Sequence, residues 1–558
     1  MKVIISTLNS KYIHASLAPW CLFSAVKEYC QNTDANVIEG TINENLIEIK
    51  EKIIRNKPDL IGFCCYIWNI TKTLELISLI KKVSPKTIIV VGGPEVSYNP
   101  ETVLKNQNID YLISGEGEIP FSELINCLEN DKKPENINGL CFRNGSKIIV
   151  NSTYTKTDLS LPNPYTEEFY SNLNGRIAYI ETSRGCPYSC AFCLSGRCGN
   201  VKYLDLEEAK KRILKLANSG TETVKFVDRT FNANKKRAYE IISFIIENYN
   251  KTIPENVCFH FEIAGDILDE KTIALLGTAP VGLFQLEIGL QSFNEETLKH
   301  INRKTDTKIL INNIKKLLSF KNMHIHIDLI AGLPRENFES FRNSFNTAYS
   351  LKPNMLQLGF LKLLHGAPMR EFSEQFPCKY DIAPPYEVIE TPYISENELL
   401  NLKQIEDSLE RIYNSGRFIN TAEYLVSFFD TAFDFYAAFS AFATKKVKVG
   451  ITLNDYAKII YDFGSTINNL DINRLRDLIV LDLLSSIKNC VLPSFLKKPD
   501  ARLKSVVKFA TLQTPKLNNI KRSVAILDSF EKAIFVDYVN QNPVTKKFEV
   551  HTVNLSQM

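Results

Sequence analysis

The sequence predicts an α/β protein in three parts. A doubly wound α/β domain spans residues 1–150, a sixfold strand–helix repeat of TIM-barrel type spans 176–370, and a mostly α-helical region spans 371–558. Three observations carry this reading. Short apolar runs alternate with amphipathic stretches, five times in the first series and six in the second, which is the pattern of parallel sheets covered by helices. Leu161-Pro162-Asn163-Pro164, within the segment 151–175, has the proline content of a linker between the two series. The strand pattern ends near residue 370, and Leu399, Leu402, Ile405, Leu409 and Ile412 then follow helical spacing.

At 558 residues the chain is long enough for three to four domains, each with its own core. Its 66 basic and 63 acidic side chains leave a net charge of +3, so no global field selects a nucleic acid or a membrane. The longest apolar candidate, 425–443, is interrupted by Asp430 and Asp434 and falls short of a membrane span. Met1 to Thr7 enters a strand pattern without the marks of a signal peptide, and thirteen scattered cysteines fit a reducing compartment. A cytoplasmic protein is expected.

In the first series the strands are read at 3–8, 36–42, 59–66, 87–93 and 111–116. Open parallel sheets bind ligands beyond the carboxyl ends of their strands, so the loops of interest hold Thr7 and Ser10, then Tyr66, Trp68 and Asn69, then Gly92, Gly93, Pro94 and Glu95, then Gly115 and Glu116. No G-x-G-x-x-G follows the first strand, which argues against a dinucleotide. His14, the one histidine of this domain, is read as a polar loop residue rather than a ligand. Residues 140–150 read as a hairpin turning at Asn144-Gly145.

The second series places strands at 177–183, 223–228, 257–263, 283–290, 324–330 and 355–361. Polar residues recur at alternate positions: Glu181 and Ser183, His260 and Glu262, Gln285 and Glu287, and His324, His326 and Asp328, with Asp228 ending the second strand. A packed barrel carries branched apolar side chains there, so the set points to a polar ligand in the lumen; a solvated mouth is the bland alternative. His324-x-His326-x-Asp328 can be read as metal ligands or as lumen hydrogen-bonding groups.

Between the first two of these strands lies Arg184-Gly185-Cys186-Pro187-Tyr188-Ser189-Cys190-Ala191-Phe192-Cys193. The C-x3-C-x2-C spacing lets three thiolates hold three irons of a four-iron cluster, leaving the fourth iron open for a substrate. A structural zinc site would need a fourth ligand, usually from a second C-x2-C or C/H pair, and none follows. Cys198 is the one further thiol close to the motif.

With Phe192 just before its last cysteine, the motif resembles the signature of radical S-adenosylmethionine (radical SAM) enzymes. The resemblance implies a partial barrel with Cys186, Cys190 and Cys193 on a [4Fe-4S] cluster. It further implies S-adenosylmethionine on the open iron, cleaved to a 5′-deoxyadenosyl radical. Glu262 and Glu287 are then candidates for its ribose hydroxyls or methionine end, Gly332 and Leu333 for its adenine, and Ser183 and Phe192 for cofactor contact. The first domain resembles the Rossmann-like cobalamin-binding domain of the cobalamin-dependent radical SAM family, most specifically in Val90-Val91-Gly92-Gly93-Pro94-Glu95 and Ser114-Gly115-Glu116-Gly117-Glu118. The D-x-H-x-x-G motif of other corrinoid domains is absent. The resemblance therefore implies base-off cobalamin with no protein histidine, lying on the loop of Tyr66, Trp68 and Asn69.

By resemblance the activity is methylation of an unactivated carbon, through methylcobalamin and the deoxyadenosyl radical. A non-methylating cyclase or rearrangement enzyme and a corrinoid sensor without catalysis stay open. A methylthiotransferase would need a second cysteine triad, for which Cys21, Cys30, Cys64 and Cys65 lack the spacing. A small molecule, peptide or nucleotide-type compound is the implied substrate, and flavodoxin or ferredoxin the implied electron donor. The C-terminal part resembles an uncharacterised domain found on a subset of these proteins; its basic run at 497–522 reads as a solvated face, with contact to an anionic substrate such as RNA or a nucleotide sugar as the alternative, and 533–539 with 547–553 as a terminal hairpin.

Overall fold

The computed structural model describes residues 1–156, 158–448, 450–513 and 520–557. The first sheet begins with β1 (Lys2–Asn9), β2 (Asp34–Thr41), β3 (Leu60–Cys64), β4 (Ile88–Gly92) and β5 (Tyr111–Ile113), all parallel in the order β2-β1-β3-β4-β5. β6 (Leu140–Asn144) and β7 (Lys147–Val150) add an antiparallel hairpin beyond β5. β3 is buried at every position and β1 at all but its first, as central parallel strands covered on both faces must be; β2, at the edge, is only partly buried. Helices Leu46–Ile54 and Ile70–Val83 cover one face, burying Ile49, Ile53, Leu76, Ile77 and Ile80 against Ile4, Leu8, Ile61 and Ile89. The strand order reverses between β1 and β3, so their carboxyl-end loops flank the crevice where such sheets take ligands.

The chain forms two compact units. The first comprises Met1–Thr278, Glu296–Thr305 and Phe360–Pro392; the second comprises Ala279–Glu295, Asp306–Gly359 and Tyr393–Met558. In the first unit β8 (Ala178–Ile180) leads to a short ribbon of β9 (Ser183–Arg184) and β10 (Lys202–Tyr203), and β8 pairs in parallel with β11 (Thr223–Phe226), which pairs with β12 (Cys258–Ile263). The expected strand at 177–183 is thus shorter. It stops at Ile180 because the N–H and hydroxyl of Thr182 donate to Asp228, at 2.8 and 2.5 Å, in place of a strand partner. Glu181 and Ser183 consequently do not share a strand face: Glu181 pairs with Arg184, whereas Ser183 bonds to Asp228.

In the second unit β13 (Phe284–Gln291) lies parallel to β14 (His324–Ala331), which neighbours β15 (Met355–Phe360). Alternate residues of β13 are buried, starting at Phe284, and Gln285 and Glu287 sit opposite His324 and His326. Back in the first unit, β16 (Lys379–Tyr380) pairs with β17 (Val388–Glu390). The helical region of the second unit opens at Glu396–Leu409, where Ser395 and Glu398 form a capping box. Its aromatic stretch is core: Phe433, Phe435, Tyr436 and Phe439 on helix Ala432–Ala443 are buried. β18 (Val524–Leu527), β19 (Lys532–Gln541) and β20 (Phe548–Asn554) form an antiparallel sheet under helix Leu503–Gln513. The expected hairpin is therefore two strands of three, and the described part of the basic run holds a helix whose Val506 and Ala510 face Ile526 and Phe535. No helix of the described residues is long and apolar enough to cross a membrane.

Candidate active site

The cysteine loop leaves β9 at Gly185, whose φ of +106° and whose position 2.6 Å (for an added Cβ) from the Asn200 carbonyl oxygen admit no side chain. The β9–β10 ribbon closes the loop at its base. Cys186 and Cys190 are buried and Cys193 is half-buried, as is Phe192. Two main-chain bonds hold the loop from outside: the Ala191 N–H donates to the Ile301 carbonyl and the Met369 N–H to the Ala191 carbonyl, both at 2.9 Å. Thr230 Oγ1 lies 3.4 Å from Cys186 Sγ, and Arg303 Nη1 lies 3.9 Å from Cys190 Sγ with its guanidinium over the Tyr188 ring. Burial raises the Cys190 thiol and Arg303 opposes that shift. Three thiols with a cation and a hydroxyl turned to their sulfurs form a donor set that suits iron and fits the cluster expected of the motif. The Cys198 side chain lies outside the described residues.

Arg184, immediately before the loop, is mostly buried and reaches Glu181, Glu118 and Glu116, at 2.7, 2.9 and 3.4 Å. Burial disfavours its charge, but Glu118 and Glu181 more than offset this and its pKa rises. Glu116 also pairs with Lys202. This residue, expected near a cofactor, ties the first sheet's fifth loop to the base of the cysteine loop. Asp228 is fully buried, and burial pushes it up to about 6 against the bonds from Thr182 and Ser183.

At the carboxyl edge of the first sheet the loop after β3 is clamped by Asn69. Its Nδ2 donates to the Leu8 and Cys64 carbonyls, both at 3.1 Å, while its Oδ1 accepts from the Tyr66 N–H at 2.8 Å. Thr7 is buried beneath it and donates to the Cys64 carbonyl, whereas Ser10 is half-buried. The clamp presents the Tyr66 and Trp68 rings stacked 4.4 Å apart and 6° from coplanar, with Trp68 44 % exposed. Gly93 has φ +113°, and a Cβ there would stand 2.5 Å from the Cys65 carbonyl oxygen. Gly115 has φ +91° and is blocked by Thr153 and Tyr154. Glu95 is 6 % exposed, and its carboxylate accepts from the Tyr386 hydroxyl. His14 is engaged elsewhere, with Nδ1 2.7 Å from the Tyr179 hydroxyl. A flat aromatic surface beside glycine-bearing loops fits a planar macrocycle.

The remaining candidates are distributed over the two units. Glu262 is half-buried on β12 of the first. In the second, Glu287, His326 and Asp328 converge, with His326 Nε2 2.9 Å from Asp328 and Nδ1 4.0 Å from Glu287. Glu287 is the third group that the His-x-His-x-Asp spacing did not reveal. Gly332 has φ +85° and Leu333 is fully buried. Three residues on, Glu336 is 1 % exposed and its Oε1 accepts from Ser292 at 2.5 Å and Ser344 at 3.2 Å. Thr230, Tyr386 and Glu336 went unread in the sequence; the signal for each was a polar residue just past a strand or in the segment after the barrel.

Residues 7–125 match the family described as B12 binding domain, and residues 180–348 match the radical SAM superfamily. The chain therefore joins a B12 binding domain to a radical SAM domain. Residues 374–554 match a third family, described as protein of unknown function (DUF4080). Among family relatives, the cobalamin-dependent radical SAM methyltransferase TokK of Streptomyces tokunonensis is 27 % identical over 324 residues, 52 % of this chain and 45 % of TokK. The anaerobic magnesium-protoporphyrin IX monomethyl ester cyclase of a Synechocystis strain is 29 % identical over 242 residues, 40 % of this chain and 46 % of that enzyme. The chain thus spans less than half the length of either relative. The structure of the cobalamin-dependent S-adenosylmethionine radical enzyme OxsB with aqua-cobalamin superposes with a TM-score of 0.60 at 15 % identity, covering 87 % of this chain and 79 % of OxsB. That likeness establishes the shared fold.

Proposed function

We propose that this chain is a cytoplasmic enzyme that uses a [4Fe-4S] cluster, S-adenosylmethionine and base-off cobalamin to methylate an unactivated carbon of a small-molecule substrate. The observation that carries the reading is that one compact unit contains both the three-cysteine loop and the aromatic, glycine-lined loops of a corrin-type sheet. Cys186, Cys190 and Cys193 would hold the cluster. Tyr66, Trp68 and Asn69 would lie under the corrin, with Gly92, Gly93, Pro94 and Gly115 giving its edge close access to backbone. Glu262 would be this unit's contact to S-adenosylmethionine, and Glu287, Gly332 and Leu333 are the candidates that the second unit holds. When bound, these groups supply one-electron cleavage chemistry and a transferable methyl group.

The protein's own part is to orient and to fasten. Arg303 turns its guanidinium toward the Cys190 sulfur and opposes the rise that burial imposes on that thiol. Arg184, Glu116 and Lys202 fasten the loop base to the first sheet. A reduced flavodoxin or ferredoxin would supply the electron.

The test is an anaerobic incubation of the reconstituted protein with reductant and S-adenosylmethionine, comparing wild type with Cys193→Ala. Formation of 5′-deoxyadenosine and S-adenosylhomocysteine by wild type, with both abolished in the variant while it still binds cobalamin, is expected. Neither product from protein with a verified cluster would overturn the enzyme reading in favour of a sensor. The cyclase relative favours a second reading, ring closure without methyl transfer, for which deoxyadenosine would form with no S-adenosylhomocysteine.

A further inference from the structure

Beyond the last barrel strand, Phe360–Pro392 returns to the first unit and touches two loops that the proposed reaction needs together. On one side it meets the cysteine loop, where the Met369 N–H donates to the Ala191 carbonyl between Cys190 and Cys193 and Glu371 pairs with Arg197. On the other it meets the loop after β4. There the Tyr386 hydroxyl donates to Glu95, the Asn99 side-chain amide lies 3.2 Å from His365 Nε2, and the Tyr98 ring lies where a side chain on Gly366 would be, 2.3 Å from its Cβ position. Tyr386 is itself held. Arg370 lies 4.5 Å over its ring and donates to the Leu363 carbonyl, the His365 ring meets it edge-on at 5.0 Å, and the Leu363 N–H donates to the Tyr386 carbonyl.

The loop that receives Tyr386 is stiff. Gly93 is fixed by its contact with Cys65, Ser97 Oγ donates to the Gly93 carbonyl at 2.8 Å, and Ser114 Oγ donates to the Ser97 carbonyl at 2.8 Å. A pull on Glu95 is therefore passed to both glycine loops. A carboxylate in a proposed ligand loop that is buried and given to a tyrosine of a distant segment serves to position that loop.

We infer that 360–392 is a strap that fixes the corrin-side loop to the cluster loop, and that Tyr386, acting through Glu95, is a positioning residue for the corrinoid. This rests on the cobalamin reading above. The test is an anaerobic absorbance titration of full-length protein with hydroxocobalamin, run with and without the reconstituted cluster. Tyr386→Phe is expected to bind about tenfold more weakly, as loss of one buried hydrogen bond to a carboxyl group requires, with iron and sulfide content unchanged. Glu95→Ala reproduces that loss. Tyr380→Phe, whose ring lies under the same guanidinium but outside this hydrogen bond, binds as wild type. Wild type binds cobalamin more tightly when the cluster is present, and this ratio falls toward one in Tyr386→Phe, which loss of packing alone would not produce. Equal affinity in wild type and Tyr386→Phe, or an unchanged ratio, overturns the inference alone. A variant that loses iron and cobalamin together overturns it in favour of plain packing. Wild type that takes up no cobalamin overturns the underlying reading and the inference with it.

Discussion

Glu336 shows how a buried carboxyl writes itself into a pH profile. Burial pushes its carboxyl up to about 7 from 4.5, while the Ser292 and Ser344 hydroxyls work against the shift. The folded chain therefore keeps a proton that the unfolded chain has released. Stability from the protonated form is full below about pH 4.5 and is lost as pH rises toward 7, where the folded form ionises too. Glu336→Gln keeps a neutral side chain of the same shape and an oxygen for both serines. Thermal unfolding of the chain should show wild type losing about 2 kcal/mol between mildly acid and neutral pH relative to this variant; parallel profiles would rule out a protonated Glu336. At this scale the cysteines were legible, because a cluster motif is defined by spacing within one loop. The partners of Glu95 and Glu116 were not. They lie on Tyr386, Lys202 and Arg184, and a choice among distant partners leaves no local trace.

At the scale of elements, the cysteine loop depends on a ribbon of two residues per strand, so its glycines act as fasteners. In Gly185→Ala the new methyl would meet the Asn200 oxygen at 2.6 Å on a backbone with φ +106°. Strain of about 1–3 kcal/mol is expected, concentrated where the loop leaves β9. Gly199→Ala is the control, since at φ +62° its added Cβ has nothing within 4 Å, and only the smaller left-handed penalty applies. Iron content after reconstitution should fall several-fold in Gly185→Ala and stay near wild type in Gly199→Ala, with cobalamin uptake retained in both. Equal iron loading in the two variants would refute this role for the ribbon. The strands of the first sheet were readable to within a few residues because buried parallel strands are unbroken apolar runs such as Leu60–Cys64. The early end of β8 was not, since it is set by the reach of Thr182 to Asp228. β18 was missed because its four residues follow a basic run that reads as surface.

For the whole molecule, the sequence changes character near residue 370, but its contacts divide it differently. The second unit is built from Ala279–Glu295, Asp306–Gly359 and Tyr393–Met558, so its strands β13 and β14 and most of β15 share a unit with the C-terminal helices. Helical spacing revealed those helices; what they cover depends on pairs far apart in the chain. Phe345 packs edge-on to Phe433 and Tyr436 at 5.4 and 5.9 Å, and Tyr349 lies 5.0 Å from Tyr413. The Tyr413 hydroxyl donates to the Pro353 carbonyl at 2.5 Å, and the Asn414 side chain caps both backbone groups of Leu356 at 2.9 and 2.8 Å. Ending the chain after Pro392 would expose Phe345 and Tyr349 and leave Leu356 without those bonds. Uncovering two large aromatic side chains alone costs several kcal/mol, comparable to the stability of a domain. Residues 1–392 should therefore accumulate as aggregate or as a species that binds a hydrophobic dye, and limited proteolysis of the whole chain should yield no persistent fragment ending near 392. A soluble, cooperatively melting 1–392 fragment would show instead that the C-terminal region is an appendage and that the barrel strands are complete without it.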